Sequence, residues 1–164
     1  MGISRMNHAV LYVRDAVRTA TFYEEVLGFS TVTSFPGGAF LRAPESTNDH
    51  DIAFFTIGEG AGPSAAGRST VGLYHIAWEV PTLQDLVTIE AKLRQAGALV
   101  GASDHTVSKS LYAQDPDGLE FEVCWVVPLA QLDPDVAVSP RPRPLDLDAE
   151  IERFGALTPG GRVP

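Results

Sequence analysis

Cysteine is almost absent from this 164-residue sequence, which contains one example, at position 124. A single cysteine cannot form a disulfide within the chain, so the sequence fits a reducing compartment. The sequence also lacks an apolar run of about 18 residues, the length that a membrane-spanning helix needs. Its first residues do not show the basic segment and apolar stretch of a secretory leader. We therefore expect a cytoplasmic protein without a membrane partner.

Basic residues are also scarce, because 12 lysines and arginines stand against 21 aspartates and glutamates, for a formal net charge of −9. This balance argues against a nucleic-acid partner, since proteins that bind nucleic acids usually present a basic face. Apolar residues make up 45% of the sequence and aromatic residues 9%, so the chain can bury a core. The composition therefore indicates a globular protein and excludes global disorder.

A pattern of strand, helix and terminating glycine occurs near the start of the sequence. Residues 6–13 are apolar and aromatic and predict a short strand. Asp15 can cap a helix that extends to about Leu27, because its side chain can accept hydrogen bonds from the first backbone N–H groups. Gly28 is expected to end this helix. Further strands are predicted over 29–35, 39–43 and 51–57.

The pattern starts again after a linker rich in glycine, alanine and serine over 58–70. Residues 73–80 predict a strand. Thr82 and Asp85 resemble a capping box at the start of a helix that ends near Gly97. Further strands are predicted over 99–101, 108–113 and 119–126.

The two copies have nearly the same spacing. Gly28 lies 20 residues after His8, and Gly97 lies 22 residues after His75. A pattern repeated at this spacing indicates a duplicated βαβββ module and hence an α+β fold. We place the first module at residues 1–60 and the second at residues 71–127.

The composition changes in the remaining segment, residues 128–164. Five prolines from Pro128 to Pro144 favour an extended arm. Residues 145–155 predict a short terminal helix, and the residues after it are expected to be frayed.

Two histidines, His8 and His75, occupy matching places in the repeat. A single strand histidine is ordinarily a hydrogen-bonded structural residue, but two at equivalent positions favour metal ligation. Strand alternation places Glu120, Glu122 and Cys124 on one face, and spacing alone leaves the two glutamates as equal candidates for a third ligand. Two imidazoles and one carboxylate leave the opposite face of a divalent metal open, as dioxygen chemistry at non-haem iron requires.

Three sequence pieces carry a family resemblance over roughly residues 6–127. They are Phe22-Tyr23 to Leu27-Gly28-Phe29, the strand around His75, and Leu111-Tyr112 through Asp115-Pro116-Asp117-Gly118 to Glu122. With these motifs the chain resembles the vicinal oxygen chelate superfamily. The resemblance implies two paired modules that form an open eight-stranded sheet around a metal cleft. It also implies His8, His75 and Glu122 as ligands, because the family ligand follows the turn glycine by four residues.

Within that superfamily the sequence looks most like extradiol dioxygenases. The resemblance implies an acid–base role for His50, a hydrogen bond from Tyr112 to a substrate oxygen, and a position in the pocket for His105. Without the resemblance, His50 reads as a solvated loop residue and Tyr112 as a core aromatic. The implied cofactor is Fe(II), with Mn(II) as an alternative, and the implied partners are a catechol-type substrate and O2. A homodimer or higher homo-oligomer is expected, and modules in this superfamily can swap between chains.

Three alternative functions stay open. A thiol transferase of the fosfomycin-resistance type uses the same donor set, but the sequence lacks the glycine- and serine-rich potassium loop of that type. A glyoxalase-like lyase would have a fourth protein ligand in the strand at 52–56, where no carboxylate occurs. A metal-free protein that sequesters an antibiotic would usually lack the three ligands.

Overall fold

Two units make up the computed structural model, which describes residues 2–67, 69–132 and 142–161. The first unit comprises Met1–Ser64 with Asp115–Gly118, and the second comprises Ala65–Gln114 with Leu119–Pro164. Each unit contains a four-stranded sheet and at least one helix. The α+β class is confirmed, with the eight strands divided equally between two sheets that are not closed. The predicted module limits at residues 60, 71 and 127 stay predictions.

The first unit has the order strand, helix and three strands. Its elements are β1 (Ala9–Val13), α1 (Ala16–Leu27), β2 (Ser30–Phe35), β3 (Gly38–Arg42) and β4 (Ile52–Thr56). The strand order in the sheet is β1-β4-β3-β2. Strands β1 and β4 run parallel, whereas the other neighbours are antiparallel. The first and last strands of the unit are therefore adjacent, and both begin at the same end of the sheet.

Helix α1 begins and ends where the sequence predicts. The Asp15 side chain accepts hydrogen bonds from the backbone N–H groups of Val17 and Arg18, and Gly28 ends the helix with a φ of 78° in the left-handed region. The helix packs on β4, where the Tyr23 and Phe54 ring centroids lie 4.9 Å apart. Both side chains are almost fully buried, so this contact forms part of the core of the first unit.

The turn Asp115–Gly118 is held by ion pairs with two arginines of the first unit. Asp117 Oδ1 lies 2.8 Å from Arg14 Nη1 and 2.7 Å from Arg18 Nη2. Burial opposes ionisation of Asp117, but the Arg14 hydrogen bonds and the two positive charges outweigh it and lower the pKa of this carboxyl. The family motif around Asp117 therefore has a structural role in addition to its turn geometry.

The second unit repeats the topology of the first. Its elements are β5 (Ile76–Glu79), α2 (Leu83–Gln95), β6 (Leu99–Asp104), β7 (Ser108–Gln114), β8 (Glu120–Val126), a 3-10 helix (Leu129–Gln131) and α3 (Leu147–Phe154). The strand order is β5-β8-β7-β6, with β5 parallel to β8. The predicted capping box is confirmed, because Thr82 and Asp85 bond each other's backbone N–H groups at the start of α2.

Strands β1 and β5 begin later than the sequence predicts. The first backbone bond of β1 to its neighbour is donated by Ala9 N to Asp51 O, at 3.0 Å. In the second unit, Ile76 is the first residue of β5 that pairs, opposite Phe121. His8 thus immediately precedes β1 and His75 immediately precedes β5, so the two histidines keep matching places at the strand ends.

The residues from 156 to 161 differ from the expected frayed segment, and residues 162–164 lie outside the described residues. Most of the predicted proline-rich arm, residues 133–141, lies outside the described residues, but the predicted helix is present as α3. After it, Gly160 N donates to Pro81 O and Gly161 N donates to Val126 O. A Cβ at Gly160 would lie 2.6 Å from the Trp125 ring, so only glycine allows this close approach. Backbone pairing orders residues 156–161 against the prediction.

A buried ion cluster joins α3 to the second sheet. Lys109 on β7 has no exposed side-chain surface, and its Nζ lies 2.6 Å from Asp104 Oδ1 and 2.9 Å from Glu150 Oε2. Arg143 also contacts Asp104, at 2.9 Å. Burial disfavours the charged Asp104 carboxylate, but the Lys109 hydrogen bond and the charges of Lys109 and Arg143 outweigh it and lower the pKa of Asp104. The cluster stabilises the docking of α3, because each buried charge has an opposite charge as partner.

None of the helices in the described parts of the chain is both long and apolar enough to span a membrane.

The Lys109→Met variant should lower the free energy of unfolding by about 3 kcal/mol, because Glu150 would lose its cation inside the protein. Urea denaturation followed by circular dichroism measures this change. The control is Lys92→Met, which replaces the only other lysine, an exposed residue of α2, and should change stability by less than about 1 kcal/mol. Equal losses in the two variants would contradict a stabilising role for the cluster.

Candidate metal and catalytic site

His8 and His50 come together in the first unit. Their ring centroids lie 4.4 Å apart, and the rings are inclined by 34°. His8 is exposed, and its Nδ1 lies 2.6 Å from Asn7 Oδ1. The parallel pairing of β1 with β4 explains this contact, since His8 and His50 lie just before these two adjacent strands. The sequence predicted roles for both histidines, but it did not predict that their rings would be in contact.

His50 has one bonded and one unbonded ring nitrogen. Its Nδ1 lies 2.9 Å from Asp49 Oδ2, whereas its Nε2 is buried and has no hydrogen-bond partner among the described residues. The edge of the Phe40 ring contacts His50 at a centroid distance of 4.9 Å. A buried imidazole nitrogen without a partner can accept or donate a proton to a bound molecule. This geometry favours a chemical role for His50 over that of a solvated loop residue.

The loop that carries His50 is fixed by Asp51. The Asp51 carboxylate accepts hydrogen bonds from Ala43 N at 2.8 Å, Ser46 Oγ at 2.7 Å and Asn48 Nδ2 at 2.7 Å. Burial opposes its ionisation, but these bonds outweigh burial and lower the pKa of Asp51. Asp51 is not among the site residues predicted from the sequence. Its only signal was a carboxylate at the end of a polar loop, just before an apolar strand.

His75 and Glu122 come together in the second unit. His75 Nε2 lies 3.0 Å from Glu122 Oε2, and both side chains are largely buried. The parallel pairing of β5 with β8 brings the two residues together, although Glu122 lies opposite Ala77, two residues after His75, and the side chains meet across this offset. Of the two carboxylates that spacing left equal, Glu122 is the one that reaches His75.

Tyr112 and His105 lie beside this pair. Tyr112 is the cross-strand neighbour of Glu122, and its ring centroid is 5.9 Å from that of His75. Its hydroxyl lies 2.8 Å from His105 Nε2. Burial, with added repulsion from Glu122 and other nearby groups, raises the pKa of Tyr112 to about 12. The hydroxyl is therefore protonated at neutral pH and can donate a hydrogen bond.

His105 is positioned by a tight turn between β6 and β7. Thr106 adopts a φ of 73°, which makes it the only non-glycine residue with positive φ in the described segments of the chain. The Thr106 backbone N–H donates to Asp104 Oδ1 at 2.7 Å, and His105 N donates to Ser108 O. These bonds hold the strained turn. They link the histidine to the same carboxylate that pairs with Lys109.

The pair His75–Glu122 fits two positions of a metal centre. Two donors that bind one cation at about 2.1 Å and at right angles, as in octahedral coordination, lie about 3.0 Å apart. The observed separation of Nε2 and Oε2 is 3.0 Å. His75 Nδ1, the other ring nitrogen, is buried and has no hydrogen-bond partner among the described residues. Imidazole and carboxylate donors suit iron or manganese.

No group of three or more histidine, cysteine, aspartate or glutamate side chains in residues 2–67, 69–132 and 142–161 is arranged to hold a metal ion. The second unit supplies a pair, His75 with Glu122, and the first unit contains His8. Convergence of His8 on that pair stays a prediction. The roles of His50, Tyr112 and His105 likewise stay predictions, although the structure brings the last two into direct contact.

Two further groups on the Glu122 side of β8 were not predicted to take part. Cys124 lies opposite Glu79 of β5, and Ser110 of β7 lies opposite Cys124. Burial, with repulsion from Glu122 and Glu79, raises the pKa of the Cys124 thiol to about 12. The thiol is therefore protonated and weakly nucleophilic at neutral pH. Burial also raises the pKa of Glu79.

Comparison with known proteins gives a consistent family. The profile described as "Glyoxalase/Bleomycin resistance protein/Dioxygenase superfamily" matches residues 5–123. The chain is 33% identical over 123 residues to the catechol-2,3-dioxygenase of Bacillus subtilis, which covers 73% of this chain and 41% of the relative. It is 36% identical over 120 residues to biphenyl-2,3-diol 1,2-dioxygenase 3 of Rhodococcus globerulus, which covers 73% and 62%. The chain thus spans less than two thirds of the length of either relative.

Among solved structures, a glyoxylase/bleomycin resistance protein/dioxygenase domain from Frankia sp. EAN1pec has a TM-score of 0.60. The identity is 23%, and the match covers 75% of this chain and 92% of the other. Likeness at this identity concerns the fold alone.

The Asp51→Asn variant should lower the free energy of unfolding by about 2 kcal/mol at pH 7, because an amide replaces the carboxylate that accepts three hydrogen bonds. The folded-state pKa of Asp51 is lowered, so its contribution is complete above the unfolded value, about 3.9, and is lost as pH falls through the folded value. The stability difference between wild type and variant should therefore shrink below about pH 4.

Urea denaturation between pH 3 and pH 7 measures this difference. The control is Asp148→Asn, at an exposed position on α3, where the change should stay within about 0.5 kcal/mol. A difference for Asp51→Asn that is independent of pH would contradict the proposed anchoring by the ionised carboxylate.

Proposed function

Because the chain belongs to the glyoxalase/bleomycin resistance protein/dioxygenase superfamily, we propose that it is an extradiol ring-cleaving dioxygenase with a non-haem Fe(II) centre. The proposed substrates are a catechol-type aromatic and O2. Two relatives at 33% and 36% identity are named as dioxygenases of catechol and of biphenyl-2,3-diol, which supports this class of reaction.

The observation that carries the proposal is the contact between His75 and Glu122. Their donor atoms lie 3.0 Å apart at the start of β5 and within β8, with Tyr112 as the adjacent cross-strand residue. A histidine–carboxylate pair is two thirds of the facial triad of non-haem iron oxygenases. His8 is the proposed third ligand, from its matching place in the repeat. It would come from this chain or from a second copy, because superfamily modules can swap.

The donor set accepts both Fe(II) and Mn(II), and we propose Fe(II) as the resident metal. When bound, the cation supplies Lewis acidity that lowers the pKa of a diol hydroxyl, together with open positions for substrate and O2. Three protein ligands leave more open positions than four would. The strand β4 contains no carboxylate that could add a fourth.

The remaining site residues move or hold protons in this proposal. His50 Nε2, the buried nitrogen without a partner, accepts the proton of the second substrate hydroxyl and later returns a proton. Tyr112 stays protonated and donates its hydroxyl hydrogen to a substrate oxygen. His105 holds the Tyr112 hydroxyl at 2.8 Å and so orients it. The ring then opens beside the diol, and both oxygen atoms of O2 enter the product.

We also propose a cytoplasmic homodimer or higher homo-oligomer. The thiol transferase, lyase and antibiotic-sequestering alternatives have no contact in the described residues that favours them over ring cleavage. Metal content separates the last of these, because a sequestering protein should purify without stoichiometric metal.

The purified chain, loaded anaerobically with Fe(II), should consume O2 and form yellow ring-fission products from a panel of catechols. An oxygen electrode and visible absorbance follow the two signals. Mass spectrometry of the product formed under ¹⁸O2 should show that both labelled oxygen atoms are incorporated. A protein that contains stoichiometric iron but turns over no catechol in a broad panel would overturn the proposal.

The His50→Ala variant should keep its iron and lose about 10²- to 10⁴-fold in kcat, because positioned proton transfer would be removed. The comparison variant is His75→Ala, which should lose most of its iron. Iron quantification and steady-state O2 uptake measure the two effects. Loss of iron from His50→Ala would mean that this histidine is a ligand and that the assigned roles are wrong.

A further inference from the structure

The open face of the second sheet is acidic. Alternation along β8 places Glu120, Glu122 and Cys124 on the face that His75 reaches. Glu79 of β5 is on the same face, because it is the cross-strand neighbour of Cys124. The carboxylates of Glu79 and Glu120 therefore lie on the same face as that of Glu122, one toward each end of β8.

No basic side chain on these strands offsets that charge. Lys109 is the only lysine or arginine in β5, β6, β7 and β8. It lies on the other face, is fully buried, and is neutralised by Asp104 and Glu150. The turn segments next to the strands, residues 105–107 and 115–119, also contain no lysine or arginine.

Two polar side-chain atoms of this site have no hydrogen-bond partner among the described residues. Ser110 has no exposed surface, and its Oγ has no hydrogen-bond partner in the described residues. It lies opposite Cys124. His75 Nδ1 is likewise buried and unbonded. Buried polar atoms are normally paired, so the unpaired Ser110 hydroxyl, beside Cys124 on the face of Glu122, indicates a polar group of a bound molecule.

On this basis we infer that the site selects catechols whose substituents are neutral or cationic and rejects catechols that carry a carboxylate, with Glu79 and Glu120 as the determinants. The inference rests on the proposed function, since it specifies which catechols the site accepts. An anionic substituent near Glu79 or Glu120 would be repelled at short range and would find no lysine or arginine of β5, β6, β7 or β8 on this face. A neutral or ammonium substituent would avoid that repulsion, and the ammonium group would be attracted.

The test compares three catechols that share a two-carbon side chain and differ in charge. They are 4-ethylcatechol, which is neutral, 3,4-dihydroxyphenylacetate, which is anionic, and dopamine, which is cationic. Anaerobic calorimetry on the Fe(II)-loaded full chain gives Kd without turnover. We expect the anion to bind at least about tenfold more weakly than the neutral compound, and dopamine to bind at least as tightly as it. The ratio should shrink at high ionic strength, because salt screens exposed charges.

The Glu79→Gln variant should reduce the ratio of anion to neutral Kd severalfold, and adding Glu120→Gln should reduce it further. The control is Glu152→Gln, which makes the same change of charge at an exposed position of α3 and should leave the ratio unchanged. Equal Kd values for the anion and the neutral compound in wild type would overturn the inference, and so would a Kd ratio that the double substitution leaves unchanged. In either case, binding of catechols would still support the proposed function. If no catechol binds to the iron-loaded protein, the proposed function fails and the inference fails with it.

Discussion

The parallel pairing of the first and fourth strands within each unit is the constraint on which the candidate site depends. In the first unit it places the starts of β1 and β4 side by side, so that the rings of His8 and His50 come into contact. In the second unit the same pairing of β5 with β8 brings His75 to Glu122. Residues more than 40 positions apart in the sequence thus become neighbours through backbone hydrogen bonds.

The second sheet separates its two kinds of charge by face. Alternation directs Lys109 toward α3, where Asp104 and Glu150 neutralise it, and directs Glu122 to the opposite face. The ion cluster needs burial and packing, whereas a metal site needs carboxylates that are available to a cation. One strand pair serves both needs because neighbouring residues point in opposite directions. The acidic character of the open face follows from the same alternation, since β8 repeats glutamate at a spacing of two residues.

The sequence predicted several local features correctly for identifiable reasons. Asp15 caps the start of α1, Gly28 ends it, and Thr82 caps the start of α2. These features could be predicted because capping depends on residues within four positions of the helix end. Other predictions failed where a distant partner decides the outcome. The segment after α3 was expected to fray, but Gly160 pairs with Pro81 and packs against Trp125. Composition cannot reveal such a partner.

The amino-acid sequence alone determined the duplicated strand–helix–strand pattern, the helix caps and the residue types of the candidate site, because each of these depends on local spacing and chemistry. Only the tertiary structure showed that Glu122 contacts His75, since this contact depends on the pairing of β5 with β8 and on the conformations of both side chains. It also showed that Asp51 anchors the loop of His50, because the three groups that Asp51 binds gather only when that loop folds back on the carboxylate. Strand register and loop closure are properties of the folded chain, and no single segment contains them.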